Sequence, residues 1–333
     1  MKIESAIRGP RLNAQVNEDG DLQVRVGIPK PGGALMNQAN NAGYPVMVSA
    51  AAFWRDGALR APDLMRGAEI HEADLALDSA GFTAMAGWAK KGPQPGMAAI
   101  YPWTLQEYLD LAQSLGSACS WYSQPDFCCE PEVASDRAER RRRVELTAQS
   151  LRYCLQETQI REVLAEREFA HVKSARRRRI LTIESSIRPP VPVLQGWDAD
   201  DYRYSAELLR STWEPWEGLY GIKLVGLGSV CRRSLDDPRH GVFAILRAVE
   251  DLIPAGAKLH LFGVKGRALR ELAKHPLVAS ADSMAYDFHA RMKAVKEGRS
   301  NDMTGRIGAM HDWMARHALP GMREGESVQA RLF

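Results

Sequence analysis

Cysteine is scarce in this sequence, with five in 333 residues. The number is odd and only Cys128 and Cys129 are adjacent, so a disulfide framework is excluded and a reducing, cytoplasmic setting is expected. Adjacent cysteines rarely chelate one tetrahedral ion, no cysteine follows Cys231, and the reading is no metal. Long hydrophobic runs are also missing. The longest, around Val46 to Phe53, is too short to span a bilayer, and Met1 to Pro10 lacks the apolar core of a signal peptide. No membrane association is expected. There is no internal repeat, no low-complexity tract and little excess charge, since 44 Lys and Arg against 41 Asp and Glu leave +3.

What is present is an ordinary globular composition, 45% hydrophobic and 26% charged, on a chain long enough for one large barrel or two domains. Apolar runs predict buried strands at Pro45–Ser49, Leu75–Asp78, Ala118–Tyr122, Ile180–Ile183, Val191–Leu194, Ile222–Val225, Leu259–Phe262 and Val278–Ser280. Helical patterns lie between several of them, at Thr104–Leu115, Ser135–Leu164, Ala199–Leu209, Gly241–Leu252 and Gly266–His275. Strand and helix alternating in this way predict a parallel sheet, and about eight strands favour closure into a (β/α)8 TIM-like barrel. The alternating segment Asp21–Ile28 reads as a strand of a small N-terminal β-hairpin. A single domain over 1–333 is expected: hairpin about 1–40, barrel about 45–300 with helical insertions, and a helical tail about 301–333. In that tail His311, Trp313 and His317 read as packing and surface residues, because no cysteine or clustered carboxylate accompanies them.

Several predicted strands end in polar residues, and strand ends converge on one mouth of a barrel. Asp78 precedes Ser79-Ala-Gly81-Phe82, and Asp282 precedes Ser283; each could instead cap the following helix. Two carboxylates facing one sugar can divide the work of base exchange: one attacks the anomeric carbon, and the other moves a proton for the departing or arriving base. Asp126 and Gln195 offer what a guanine-like edge needs, an acceptor for its ring N–H and amine and an amide for its carbonyl. Phe82 could stack on that ring. Gly226 and Gly228 would let backbone amides approach the base, although such a pair is often only a tight turn. Arginines clump at Arg140, Arg141, Arg142 and Arg143, at Arg176, Arg177, Arg178 and Arg179, and at Arg232 with Arg233. Such clusters can follow a phosphate backbone; the alternative is a solvated helix face.

Together these residues resemble the tRNA-guanine transglycosylase superfamily. Asp78-Ser-Ala-Gly-Phe82 is similar to its Asp-Ser-Gly-Gly-Phe motif, Leu194-Gln195-Gly196 to its Val-Gln-Gly motif, and Gly226-Leu-Gly-Ser229 to its base-binding turn. Asp282-Ser-Met-Ala-Tyr286 resembles the segment around the nucleophile of archaeal members. The resemblance implies Asp282 as nucleophile, Asp78 as general acid/base, Asp126, Gln195 and Gly228 as readers of the base, and Phe82 as its stacking partner. The superfamily's usual zinc site, Cys-x-Cys-x-x-Cys with a later His, cannot exist after Cys231 in its usual form. No extra RNA-binding domain is expected, since the chain ends about 50 residues past Asp282.

Both departures resemble the DpdA-like branch, which inserts 7-deazaguanines into DNA, and the Asp126-Phe-Cys-Cys-Glu-Pro131 segment resembles its phage-type members. The expected partners are therefore DNA and a free 7-deazaguanine such as 7-cyano-7-deazaguanine, in the host cytoplasm for a phage-encoded chain. The expected reaction is base exchange through a covalent aspartyl-glycosyl intermediate, with no cofactor. The resemblance allows a homodimer, although no interface is legible. A tRNA-guanine transglycosylase without zinc and a catalytically silent nucleic-acid-binding subunit are the rival readings, and retention of both Asp78 and Asp282 argues against the second.

Overall fold

A computed structural model describes residues 11–16, 22–61, 68–134 and 136–317. Among them, eight parallel strands make one sheet: β1 (Gln23–Ile28), β2 (Val46–Ser49), β3 (Leu75–Asp78), β4 (Cys119–Tyr122), β5 (Val193–Leu194), β6 (Leu224–Leu227), β7 (Lys258–Leu261) and β8 (Val278–Ser283). Neighbours follow the order β4-β3-β2-β1-β8-β7-β6-β5. The two ends of that row meet, because Ser123 just past β4 bridges Val191 just before β5 in parallel. Gln124 N–H donates to Val191 O at 3.0 Å, and Val191 N–H donates to Tyr122 O at 2.8 Å. The sheet thus curls into a β/α barrel.

The helices are α1 (Ala34–Asn41), α2 (Ala68–His71), α3 (Gly81–Lys91), α4 (Leu105–Ser114), α5 (Arg137–Glu168), α6 (Ala175–Ser185), α7 (Ala199–Trp213), α8 (Val242–Val249), α9 (Gly266–Leu272), α10 (Ala285–Lys296) and α11 (Met303–His317). Strand residues alternate between two cores. Val24, Val26, Leu75, Leu77, Leu259 and Leu261 pack outward against the helices. Met47, Ala76, Trp121, Val191 and Leu224 fill the lower lumen. Residues 11–16 plug the foot: Arg11–Leu12 pair with Tyr220–Gly221, Asn13 Nδ2 donates to Leu224 O at 2.7 Å, and Ala14 joins the lumen core.

Two sequence expectations are corrected. Gln23–Ile28 is not a hairpin strand; it is β1, paired in parallel with β2 and β8 in the middle of the sheet. Its alternation suggested one wet face, but Arg25 points into the lumen and is buried there against Asp74, at 3.0 Å. Ile180–Ile183 is not a strand but part of α6. Ser174 caps that helix by accepting from Arg177 N–H at 3.3 Å, and Ile180 and Ile183, three apart, share its exposed side. In α11 Met310, Trp313 and Met314 are buried, and His311 Nδ1 lies 3.1 Å from Tyr44 OH. No helix among the described residues is long and apolar enough to cross a membrane.

Candidate active site

A cavity of about 910 Å3 opens at the mouth of the barrel, where the strands end. Asp78, Phe82, Asp126, Gln195, Gly228, Arg232, Arg233 and Asp282 all line it. Residues from positions 78 to 282 are therefore brought to one chamber. Gly226 is not among them. It lies inside β6, where an added Cβ would come within 2.6 Å of the Phe262 ring, so its smallness serves packing.

Asp78 is the last residue of β3. The chain turns sharply after it, with Ala80 in the left-handed region at φ 71°, and this turn aims Ala80 N–H back at Asp78 Oδ2, 3.1 Å away. Burial pushes the Asp78 carboxyl up to about 7, the charges of Asp126 and Asp282 add to the rise, and the Ala80 N–H bond and the nearby Ser49 hydroxyl oppose it. A carboxyl poised near neutrality can both give and take a proton. Asp282, in β8, is held differently: its Oδ1 accepts from Gly263 N–H at 2.8 Å and stands 3.4 Å from His260 Nε2. Its Oδ2 has no protein partner among the described residues.

Beside these carboxylates lies a hydrogen-bonded chain of buried polar groups. Asp126 Oδ1 accepts from Ser79 Oγ at 2.5 Å, its Oδ2 accepts from Gln195 Nε2, and its carbonyl accepts from Tyr101 OH at 2.6 Å. Burial raises the Asp126 carboxyl to about 6, with Ser79 and Gln195 limiting the rise. Gln195 Oε1 accepts from Ser229 Oγ at 2.6 Å, and Ser229 Oγ lies 3.0 Å from Glu130 Oε2. The Ser229 hydroxyl thus faces two acceptors with one proton, and burial raises the Glu130 pKa while the Ser229 contact opposes the rise. Two glycines make the chain fit. A Cβ on Gly228 would fall 2.2 Å from Gln195 Nε2, and one on Gly81 would fall 2.7 Å from Asp126 Oδ1.

The arginine clusters divide, and the assignment of Arg143 to a phosphate is corrected. Arg143 is wholly buried, bonded to Glu139 at 2.8 Å and to the Cys128 carbonyl at 2.7 Å, and cannot reach a phosphate. Arg140 pairs with buried Asp201 at 3.0 Å. Arg233 stacks on Trp197 at 3.9 Å and donates to the carbonyls of Ser229, Trp197 and His240, binding loops together beside the cavity. Arg176 to Arg179 open α6, which lies at the foot. There Arg161 reaches Asp110 at 2.6 Å, Gln113 donates to the Ser185 carbonyl at 2.7 Å, and Glu162 pairs with Arg11 at 3.4 Å. Exposed Arg232 at the cavity and half-exposed Arg142 and Arg141 near the start of α5 remain at the mouth. Ser79, Tyr101, Ser229 and His260 were not singled out by sequence. Each is an unremarkable buried polar residue until the fold gives it a carboxylate or amide partner.

Two carboxylates and a wall of bonded polar groups thus face one cavity at the mouth of a closed β/α barrel. The DpdA family, DeoxyPurine in DNA protein A, matches residues 38–318, and the chain belongs to that family. Membership makes it a transglycosylase-type enzyme of DNA modification. No curated protein matches the sequence. Among solved structures, the YdjI aldolase from Escherichia coli K12 is similar at 13% identity and TM-score 0.41, over 91% of this chain and 94% of that one.

Proposed function

We propose that this protein exchanges guanine in DNA for a 7-deazaguanine, such as 7-cyano-7-deazaguanine, through a covalent aspartyl-glycosyl intermediate. The observation that carries the reading is the shared cavity: Asp78 and Asp282 line it beside the bonded pair of Asp126 and Gln195. Asp282 Oδ2 attacks C1′ of the deoxyribose, the C1′–N9 bond breaks, and its electron pair leaves on guanine, which takes a proton from Asp78. The incoming base then loses its N9 proton to Asp78 and N9 displaces Asp282 from C1′. One N-glycosidic bond replaces another, so the exchange is nearly balanced in free energy and needs no cofactor. Asp126 accepts from the N1–H and amine of the base, Gln195 meets its carbonyl edge, and Phe82 stacks on it; the Gly228 N–H is already donated to the Leu194 carbonyl, so Gly228 serves by leaving room rather than by bonding. The target guanine must leave the duplex stack or be met in single-stranded DNA.

Denaturing gel electrophoresis after incubation with DNA or tRNA oligonucleotides tests this. An adduct that forms with DNA and disappears when free 7-deazaguanine is added supports the reading. An adduct with tRNA alone makes the protein an RNA enzyme, and no adduct with either refutes the covalent route.

A further inference from the structure

One layer below Asp282 lies a histidine with no part in the exchange as described so far. His260, on β7, is wholly buried, its ring edge-on to Trp121 at 4.8 Å and to Phe262 at 4.7 Å. Both nitrogens of a buried imidazole require partners. Nδ1 stands 2.8 Å from Ser280 Oγ. Nε2 makes no hydrogen bond among the described residues, and the Asp282 Oδ1 acceptor stands 3.4 Å from it, close enough for a small shift to complete one. The register between β7 and β8 slips here, so that Leu259 faces Val278 whereas His260 faces Ser280. Irregularities of this kind re-aim side chains next to active sites.

We propose that His260 is the positioning residue for Asp282, donating from Nε2–H to the same oxygen that the Gly263 amide holds. The proposal rests on the reading of Asp282 as nucleophile. The tautomer follows from the surroundings: a bare Nε2 lone pair against a carboxylate oxygen is repulsive, whereas the Ser280 hydroxyl can donate to Nδ1. Burial lowers the pKa of His260, the nearby Arg25 guanidinium works in the same direction, and Asp282 opposes both. The ring is therefore a neutral donor. With two donors on Oδ1 the carboxylate cannot rotate, and Oδ2 stays turned to the cavity where C1′ must arrive.

His260→Leu removes the donor at similar size, and His260→Gln can return an amide N–H close to the Nε2 position. Single-turnover adduct formation on DNA is expected to slow on the order of 10- to 100-fold in His260→Leu, the range for a misplaced reacting group. Affinity for the free base should stay unchanged, and His260→Gln should recover most of the rate. Nitrogen-15 NMR of the histidine-labelled wild-type protein at neutral pH should find the proton on Nε2. A wild-type adduct rate in folded His260→Leu, or a proton on Nδ1 instead, overturns the proposal. Should His260→Leu fail to fold, Ser280→Ala, which frees the tautomer, must show the same selective loss of rate, and a normal rate overturns the proposal. If the wild-type protein forms no adduct with any nucleic acid, the proposed function fails, and the tautomer alone still decides whether His260 bonds Asp282.

Discussion

At the foot of the lumen a buried charge is paired with an opposite one, while at the mouth three carboxylates are crowded together. Arg25 donates to both the side chain and the carbonyl of Asp74, at 3.0 and 2.9 Å, and lies over Trp121 at 5.5 Å. Asp78, bonded by the Ala80 N–H with the Ser49 hydroxyl nearby, is pushed up to about 7; Asp126 is raised to about 6; Asp282 keeps one oxygen without a partner among the described residues. The foot holds the barrel together. The mouth buries carboxylates side by side, and burial first, with mutual repulsion adding to it, holds the Asp78 carboxyl near neutral pH.

The largest effect should come from the atom left free at the mouth. Asp282→Asn is expected to abolish adduct formation and exchange, by about 1000-fold or more, as for other removed nucleophiles. Its melting temperature should hardly change. Exchange at the wild-type rate by the folded variant would end the assignment.

Next come the groups that read the base. Asp126→Ala and Gln195→Ala leave a buried purine edge without a partner, at about 1–3 kcal/mol, or roughly 5- to 150-fold in affinity. Calorimetry should show that loss for the free base, while gel shifts show little loss for DNA. Equal losses for both would place these residues outside the base pocket.

Stability offers a direct test of the difference between the two ends. The folded-state pKa of Asp78 is raised from its ordinary 3.8 to about 7. The folded protein therefore binds the extra proton, and the associated stability is complete below about 4 and lost as pH rises through about 7. Asp78→Asn should be more stable than wild type at pH well above 7, and the gain should shrink as the pH is lowered, even though exchange is lost. Asp74→Ala, at the foot, should do the reverse: about 1–3 kcal/mol of destabilisation, limited because Asp74 is 44% exposed and water can take its place. Thermal melts across pH would expose the contrast, and a stabilising Asp74→Ala would break it.

The barrel was legible because most of its strands are short apolar runs with helical patterns between them, and Leu75–Asp78 appears with the predicted bounds. What failed to read were charges whose partners are far away in sequence. The segment holding Arg25 read as a hairpin strand because Asp74, the partner that lets Arg25 be buried, lies 49 residues on, and Arg143 looked like a phosphate contact because nothing local shows that it is buried. The polar motifs of the mouth could be quoted from the sequence, but not the chain of bonds joining Asp126, Gln195, Ser229 and Glu130. Ala80 shows the limit from the other side. It stands where the resembling motif has glycine, yet it adopts the left-handed conformation that favours glycine.

The smallest effect concerns the arginines, which also divide between mouth and foot. DNA that delivers a base to the cavity must pass the mouth, so replacing Arg141, Arg142 and Arg232 together with glutamine should weaken binding uniformly across sequences. It should also flatten the dependence of log affinity on log salt by roughly 0.9 per lost contact on duplex DNA. Replacing Arg176 to Arg179, at the opposite end, should leave the salt slope and the exchange rate as they are, because charge is screened within about 8–10 Å at ordinary ionic strength. Free-base binding should not respond to either set. If instead the foot variant alone flattens the slope, the DNA path runs along α6, and the contrast between a structural foot and a working mouth would hold for the chemistry but not for the nucleic acid.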